Sequence, residues 1–334
     1  MKMMKSNDSP IFLLGSERSG SNLLRTLIGN HEKVSAPVAP HFCDAFSDIF
    51  HKYKPLDDGN RKELLLDLEK YANHEYNNWK LTLDYDLVVQ KYKLNSFIDF
   101  LHAVYLEHAL NNNHTTYFSK DNHNHRHALG ILKDVPNAKF LYLYRDPRDH
   151  VASWLRTPLY MHTPHKIISK WQSEQQEILK LNSFYNLPMC FVKYEDLIVN
   201  TKNVVVRILD FVGLNVDASC FETKKDVEEA NRNPFWKNLN KPVMADNRDK
   251  YTDVLKGINL NMVESLAKST MDTLGYVPTT SQDWKVGNRY WFWFAERFKT
   301  RRSRRKHKEL KQKEMASMFD KTRLRKELFS KFNA

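Results

Sequence analysis

The ten residues from Gly15 to Leu24, Gly-Ser-Glu-Arg-Ser-Gly-Ser-Asn-Leu-Leu, hold the densest set of groups able to grip an anion. Ahead of them, Ile11-Phe12-Leu13-Leu14 fits a buried parallel strand. Behind them, Leu23, Leu24, Leu27 and Ile28 fall at helical spacing to about His31. A strand, a tight turn and a helix leave the first N–H groups of the helix, and the positive end of its dipole, facing the turn. Such a helix end binds anions. Gly15 and Gly20 let the backbone come close, Ser19, Ser21 and Asn22 add donors, and Arg18 adds a charge.

The Gly-x-x-x-x-Gly spacing is that of a P-loop, but Ser21-Asn22 stand where a nucleotide hydrolase has Lys followed by Ser or Thr. The lysine that reaches the terminal phosphates and the hydroxyl that holds magnesium both depend on that dipeptide. ATP or GTP hydrolysis is therefore disfavoured, and phosphate or sulfate binding is not. A second anion-directed unit runs from Phe140 to Trp154. Its β-rich stretch Phe140 to Tyr144 ends at Arg145, and Pro147 suits the start of a helix that carries Asp149 and Ser153. Arg145 and Ser153 can converge on one phosphate; alternatively Arg145 pairs with Asp146 or Asp149.

Other elements position these units. Lys33 to Ala36 reads as a short strand ended by Pro37 and Pro40, which places His41 beyond a strand end, where ligands sit in open parallel sheets. Residues 57–113 have helical periodicity and read as an insertion that caps a pocket or adds to the core. Tyr117 to Asp121 reads as a further strand end carrying Lys120. His123, His125 and His127 lie at i, i+2, i+4, a spacing that does not gather three metal ligands on one helix face. Helices are expected over His165–Phe184, Thr201–Val212 and Met262–Leu274, with Gly213 and Gly275 as terminators. Met189 to Val192 reads as a strand, and Phe221 to Lys250 as polar loop. Strands alternating with helices predict an α/β fold with a parallel sheet flanked by helices.

The 334 residues suffice for a sizeable core, and three cysteines far apart form neither a disulfide framework nor a zinc signature. The net charge of +12 is unevenly placed. Residues 297–334 hold fifteen of the 52 Lys and Arg but four of the 40 Asp and Glu, so the tail carries +11 and the body +1. A neutral body argues against a basic nucleic-acid-binding module. The polar start and the absence of a long apolar run read as a cytoplasmic protein with neither signal peptide nor membrane span.

Taken in order, these motifs resemble the sulfotransferase family that uses 3′-phosphoadenosine-5′-phosphosulfate (PAPS), in the branch that includes tyrosyl-protein and many bacterial enzymes. Gly15 to Leu23 resembles the family's 5′-phosphosulfate loop, and Phe140 to Ser153 its 3′-phosphate motif. Tyr194-Glu195-Asp196-Leu197 with Phe211 to Leu214 resembles its third segment. Lys241-Pro242-Val243 through Tyr251 resembles the segment that closes over the cofactor, and Leu274-Gly275-Tyr276 its usual finish. The resemblance covers residues 9–280. It implies a P-loop-like parallel β-sheet flanked by helices, in a sulfotransferase domain over 1–285 with the helical cap at 57–113. It implies that Arg18, Ser19, Gly20, Ser21, Asn22 and Leu23 hold the 5′-phosphosulfate. Arg145 and Ser153 would then bind the 3′-phosphate, Tyr194 touch the cofactor, Lys250 close over it, and Lys120 act as the catalytic lysine.

The sequence departs from the tyrosyl branch at one point. The Glu base of those enzymes falls here on Ala39, with His41 two residues on. A His serves as base in the cytosolic branch of the family, and Glu32 and Asp44 are less favoured alternatives. The expected reaction is sulfuryl transfer to an acceptor hydroxyl with His41 as base and no metal. A carbohydrate or lipid-linked acceptor is preferred over protein tyrosine, and a P-loop kinase is the competing enzyme reading. Residues 286–334 form a separate aromatic, then polybasic, helical C-terminal tail. Tyr290 to Phe294 and Arg301 to Lys306, with Leu324, Leu328 and Phe332 at helical spacing, suit an anionic membrane surface, an anionic polymer, or a solvated basic helix. On this reading residues 297–334 are dispensable for catalysis.

Overall fold

The computed structural model describes residues 8–157, 163–223, 237–281, 284–285, 294, 297–298 and 316–332. Its centre is a parallel sheet in the order β2-β3-β1-β4-β5. The strands are β1 (Ile11–Leu14), β2 (Val34–Ser35), β3 (Thr116–Ser119), β4 (Lys139–Tyr144) and β5 (Met189–Lys193). Leu14 lies beside Tyr142 and Phe12 beside Ser119, so β1, β3 and β4 end at one carboxyl edge.

Alternation along β1 sorts the helices into two layers. Ile11 and Leu13, with Leu141 and Leu143, face a cluster made by α1 (Ser21–Ile28), α9 (Tyr194–Val199) and α10 (Thr201–Val212). Phe12, Leu14, Phe140 and Tyr142 face the larger cluster. It is built from α2 (Phe42–Phe46), α3 (Asp58–Asn73), α4 (Tyr85–Lys91), α5 (Phe97–Asn111), α6 (Ala128–Asp134), α7 (Pro147–Leu155), α8 (Pro164–Tyr185) and α11 (Ile258–Leu274). The expected fold class is the one observed. Local chemistry sets the boundaries. Asp146 caps α7 ahead of Pro147, Ser96 and Asp99 form a capping box on α5, and Gly213 and Gly275, at φ 77° and 75°, end α10 and α11.

The last helix, α12 (Ala316–Ser330), lies against the 57–113 insertion, which sequence alone did not anticipate. The Phe329 ring meets Phe46 at 5.2 Å, and the Phe332 ring meets Tyr53 at 4.9 Å. Lys331 bridges Asp67 at 2.5 Å and Glu63 at 2.6 Å. Leu324, Leu328 and Phe332 pack on the main core, so the apolar positions of this helix are turned to the body. It shares that core rather than standing apart as tail. Residues 290–293 and 301–306, the aromatic and polybasic runs, lie outside the described residues. Among the described residues no helix is long and apolar enough to cross a membrane.

Burial keeps several histidines from protonating. His102 and His108 are pushed down to about 4 and His125 to about 3, and His41 and His150 lie well below 6.5. The unfolded chain binds protons at these sites below pH 6.5 that the folded chain refuses, so stability is full above that pH and falls as pH drops. Each such group contributes about 1.4 kcal/mol per pH unit in this window. Asp121, pushed up to about 6 by burial and by Asp44, opposes with one proton. Urea unfolding at pH 5 should therefore show a markedly lower midpoint than at pH 7.5; equal midpoints would contradict the assignment of neutral buried histidines.

Candidate active site

The turn between β1 and α1 is held in an uncommon shape. Gly15, Arg18 and Gly20 have φ of 144°, 65° and 97°. A Cβ on Gly15 would lie 2.3 Å from the Leu143 carbonyl oxygen, and one on Gly20 2.3 Å from the Tyr194 ring, so both positions need glycine. Ser16 bolts the turn to α8: its hydroxyl donates to Glu174 at 2.5 Å and accepts from Gln175 at 2.7 Å. Asn122 ties Glu17 to the segment after β3 at 2.5 Å. No side chain caps α1, and no acid stands in its first turn, where Ser21, Asn22 and Leu23 lie. The Ser19 hydroxyl is fully enclosed without a hydrogen-bond partner among the described residues.

Arg18 donates from Nε to the Ser153 hydroxyl at 3.3 Å, which joins the turn to α7. Arg145, at the tip of β4, lies over the Tyr194 ring at 4.3 Å and donates from Nη2 to the Asn247 carbonyl at 2.9 Å. Its Nε is enclosed and has no hydrogen-bond partner among the described residues. Burial first, and then the charge of Arg145, lowers the proton affinity of Arg18 against the pull of Glu17. The two guanidinium groups thus sense each other in one pocket. The pairing with Asp149 that sequence left open is present but long, 3.7 Å. Asp146 is instead engaged by Arg148, which also reaches Glu264.

Residues 247–251 lie across this pocket. Asn247 donates to the Tyr194 hydroxyl at 2.7 Å, the Tyr251 amide donates to Asp149 at 2.8 Å, and Arg156 donates to the Lys250 carbonyl at 2.6 Å. The Lys250 ammonium itself lies 3.8 Å from Asp246 in a mostly exposed pair.

A second group forms beyond β2 and β3. His41 precedes α2 with a left-handed backbone, φ 61°, and its Nδ1 is enclosed without a hydrogen-bond partner among the described residues. Burial lowers its proton affinity, and the charges of Lys321 and Lys120 lower it further. His41 is therefore neutral at pH 7. Asp121 accepts from the Cys43 amide at 3.3 Å, and His123 pairs with Asp44, which raises the proton affinity of His123. One ligand-type atom each of His41, Asp44 and Asp121 lies within 4.8 Å of the others. The Lys321 ammonium faces both carboxylates, so their charge is answered from within the chain. His123, His125 and His127 do not gather: His123 turns to Asp44, and His125 is buried near Glu177.

A model of the sulfotransferase family matches residues 10–218. The chain belongs to the sulfotransferase family. Two solved structures resemble this sulfotransferase at fold level. The sulfotransferase domain of the Synechococcus PCC 7002 olefin synthase is 20% identical, with TM-score 0.52, covering 81% of this chain and 96% of its own. A sulfotransferase domain from the curacin biosynthetic pathway is 19% identical, with TM-score 0.53, covering 81% of this chain and 98% of its own. No curated protein sequence matches it.

Contacts between neighbours thus link Arg18 to Ser153, Arg18 to Arg145 by charge, Arg145 to Tyr194 and Tyr194 to Gly20, and His41 and Lys120 lie within charge range of each other. Sequence reading missed Asn247, Asp121 and Lys321. Asn247 sits inside the Lys241–Tyr251 segment already singled out and was findable there; Lys321 had no local signal. Gly20→Ala should drive the new methyl into Tyr194 and cost about 2 kcal/mol or more in denaturant unfolding. An unchanged unfolding midpoint would contradict the packing of Tyr194 on Gly20.

Proposed function

We propose that this sulfotransferase moves the sulfuryl group of PAPS to an acceptor hydroxyl, on a carbohydrate or lipid-linked alcohol rather than protein tyrosine. The observation that carries the reading is the pair of enclosed, unpartnered donors, Ser19 Oγ and Arg145 Nε, beside an uncapped helix end and a second arginine. These residues fit an anionic ligand with two separated charged groups. Arg18, Ser19, Gly20 and the first residues of α1, Ser21, Asn22 and Leu23, would hold the phosphosulfate end. Arg145 and Ser153 would hold the 3′-phosphate, with Tyr194 flanking it and the Lys250 segment closing over it. PAPS, when bound, supplies an activated sulfuryl group on a good leaving phosphate.

Transfer of this kind resembles phosphoryl transfer, in which the protein contributes position and charge rather than covalent chemistry. Amides of the Gly15–Gly20 turn and Arg18 steady the sulfuryl oxygens, and Lys120 offsets charge on the departing oxygen. His41, neutral at pH 7, accepts the acceptor's hydroxyl proton. Ala39 in place of a Glu base supports a non-tyrosyl acceptor.

Calorimetric titration with 3′-phosphoadenosine-5′-phosphate, with ATP as control, tests the donor. Tight binding is expected, weakened about 10- to 100-fold by Arg145→Ala through loss of a charged hydrogen-bonding group, with little ATP binding. No binding by folded protein would overturn the reading. His41→Ala should lower turnover about 100-fold or more while leaving that affinity unchanged; full turnover would remove His41 from the role.

A further inference from the structure

One basic residue whose charge acts on His41 comes from the far end of the chain. Lys321, on α12, is 5% exposed. Its ammonium donates to the Pro40 carbonyl at 2.7 Å and to Asn77 Oδ1 at 3.0 Å, and it faces the rings of Tyr71 at 4.9 Å and Tyr76 at 5.0 Å. A buried ammonium is costly unless acceptors and ring faces replace its water, and here both do. Pro40 immediately precedes His41, whose left-handed backbone is uncommon for a residue with a side chain. Holding that carbonyl holds the bend. The same helix fixes the far end of α2 through Arg325 Nε, which donates to the Ala45 carbonyl at 3.2 Å.

Several charged groups surround His41: Lys321 from α12, Lys120, Asp121 and His123 from the segment after β3, and Asp44 from α2. Those that face Lys321 are Asp121, Asp44 and Lys120. A proton on His41 would add another positive charge beside two ammonium groups in an enclosed space. Burial lowers Lys321 to about 7, so it carries its charge throughout the acidic range in which a histidine would titrate.

We propose that Lys321 is a positioning residue for His41, its ammonium locking the Pro40 carbonyl that precedes the bend and setting a positive charge beside the imidazole. This rests on the reading of His41 as the base. Lys321 lies beyond residues 10–218, so family membership does not imply it. The device makes the proton-accepting half of the site depend on a helix that sequence reading treated as dispensable.

The test is a histidine-selective NMR titration of the full chain, with the His41 signal assigned by its loss in His41→Ala. Each protein is also titrated calorimetrically with 3′-phosphoadenosine-5′-phosphate. In the wild type, His41 should remain neutral through the range where exposed histidines protonate. Lys321→Met should raise its proton affinity about tenfold or more, Lys321→Arg should leave it low, and nucleotide affinity should stay within twofold throughout. A wild-type His41 that protonates like an exposed histidine overturns the proposal, and decides it even if the methionine variant does not fold. So does a folded, nucleotide-binding Lys321→Met with His41 unshifted. Failure of the nucleotide to bind any of the proteins would instead sink the donor assignment, a separate result that the His41 titration does not touch.

Discussion

Two guanidinium groups lie within charge range of each other out of water, and much of the surrounding layout answers that constraint. Arg18 comes from the turn after β1 and Arg145 from the tip of β4, which are neighbours because Leu14 and Tyr142 are in register. Like charges brought together out of water repel unless an anion joins them. The protein's own carboxylates only partly serve: Asp149 stands 3.7 Å from Arg145, and Glu17 is engaged by Asn122. The uncapped end of α1 and the unpartnered Ser19 hydroxyl add to the same positive field.

Around this field the chain is stiff. Ser16 is held by Glu174 and Gln175 of α8, and Gln175 accepts in turn from the Tyr142 hydroxyl at 2.6 Å. Tyr194 fills the space that Gly20 leaves empty and supports Arg145 on its face. Such linkage removes the freedom that a mobile loop would lose on gripping a ligand.

Much of this was legible in the chain. Contiguous apolar runs marked the strands, and Gly213 and Gly275 fixed the ends of α10 and α11, because these signals are local. The closeness of Arg18, Arg145 and Ser153 was readable for the same reason: Arg18 and Arg145 follow strands β1 and β4, and Ser153 lies on the helix after β4. What stayed hidden was non-local. Nothing near Asp121 marks it as a buried neighbour of Asp44, and a lysine in a basic tail looks like any other. Leu324, Leu328 and Phe332 gave the helical period of α12 correctly, but periodicity names a buried face without naming what it is buried against.

The contact between Pro40 and Lys321 spans 281 positions of chain. Closing so long a loop costs little more than closing one half its length, so the docked helix is compatible with a stable fold. Its rate is another matter, since contacts of high sequence separation form slowly. The anion pocket is assembled around the sheet itself, whereas the surroundings of His41 await a helix that arrives from afar. A chain whose sheet has closed and whose α12 has not yet docked would already present an arginine-lined cradle, with its proton acceptor still unframed. The contacts that join Arg18 and Arg145 are thus made around the sheet, and those that frame His41 reach across 281 positions of chain.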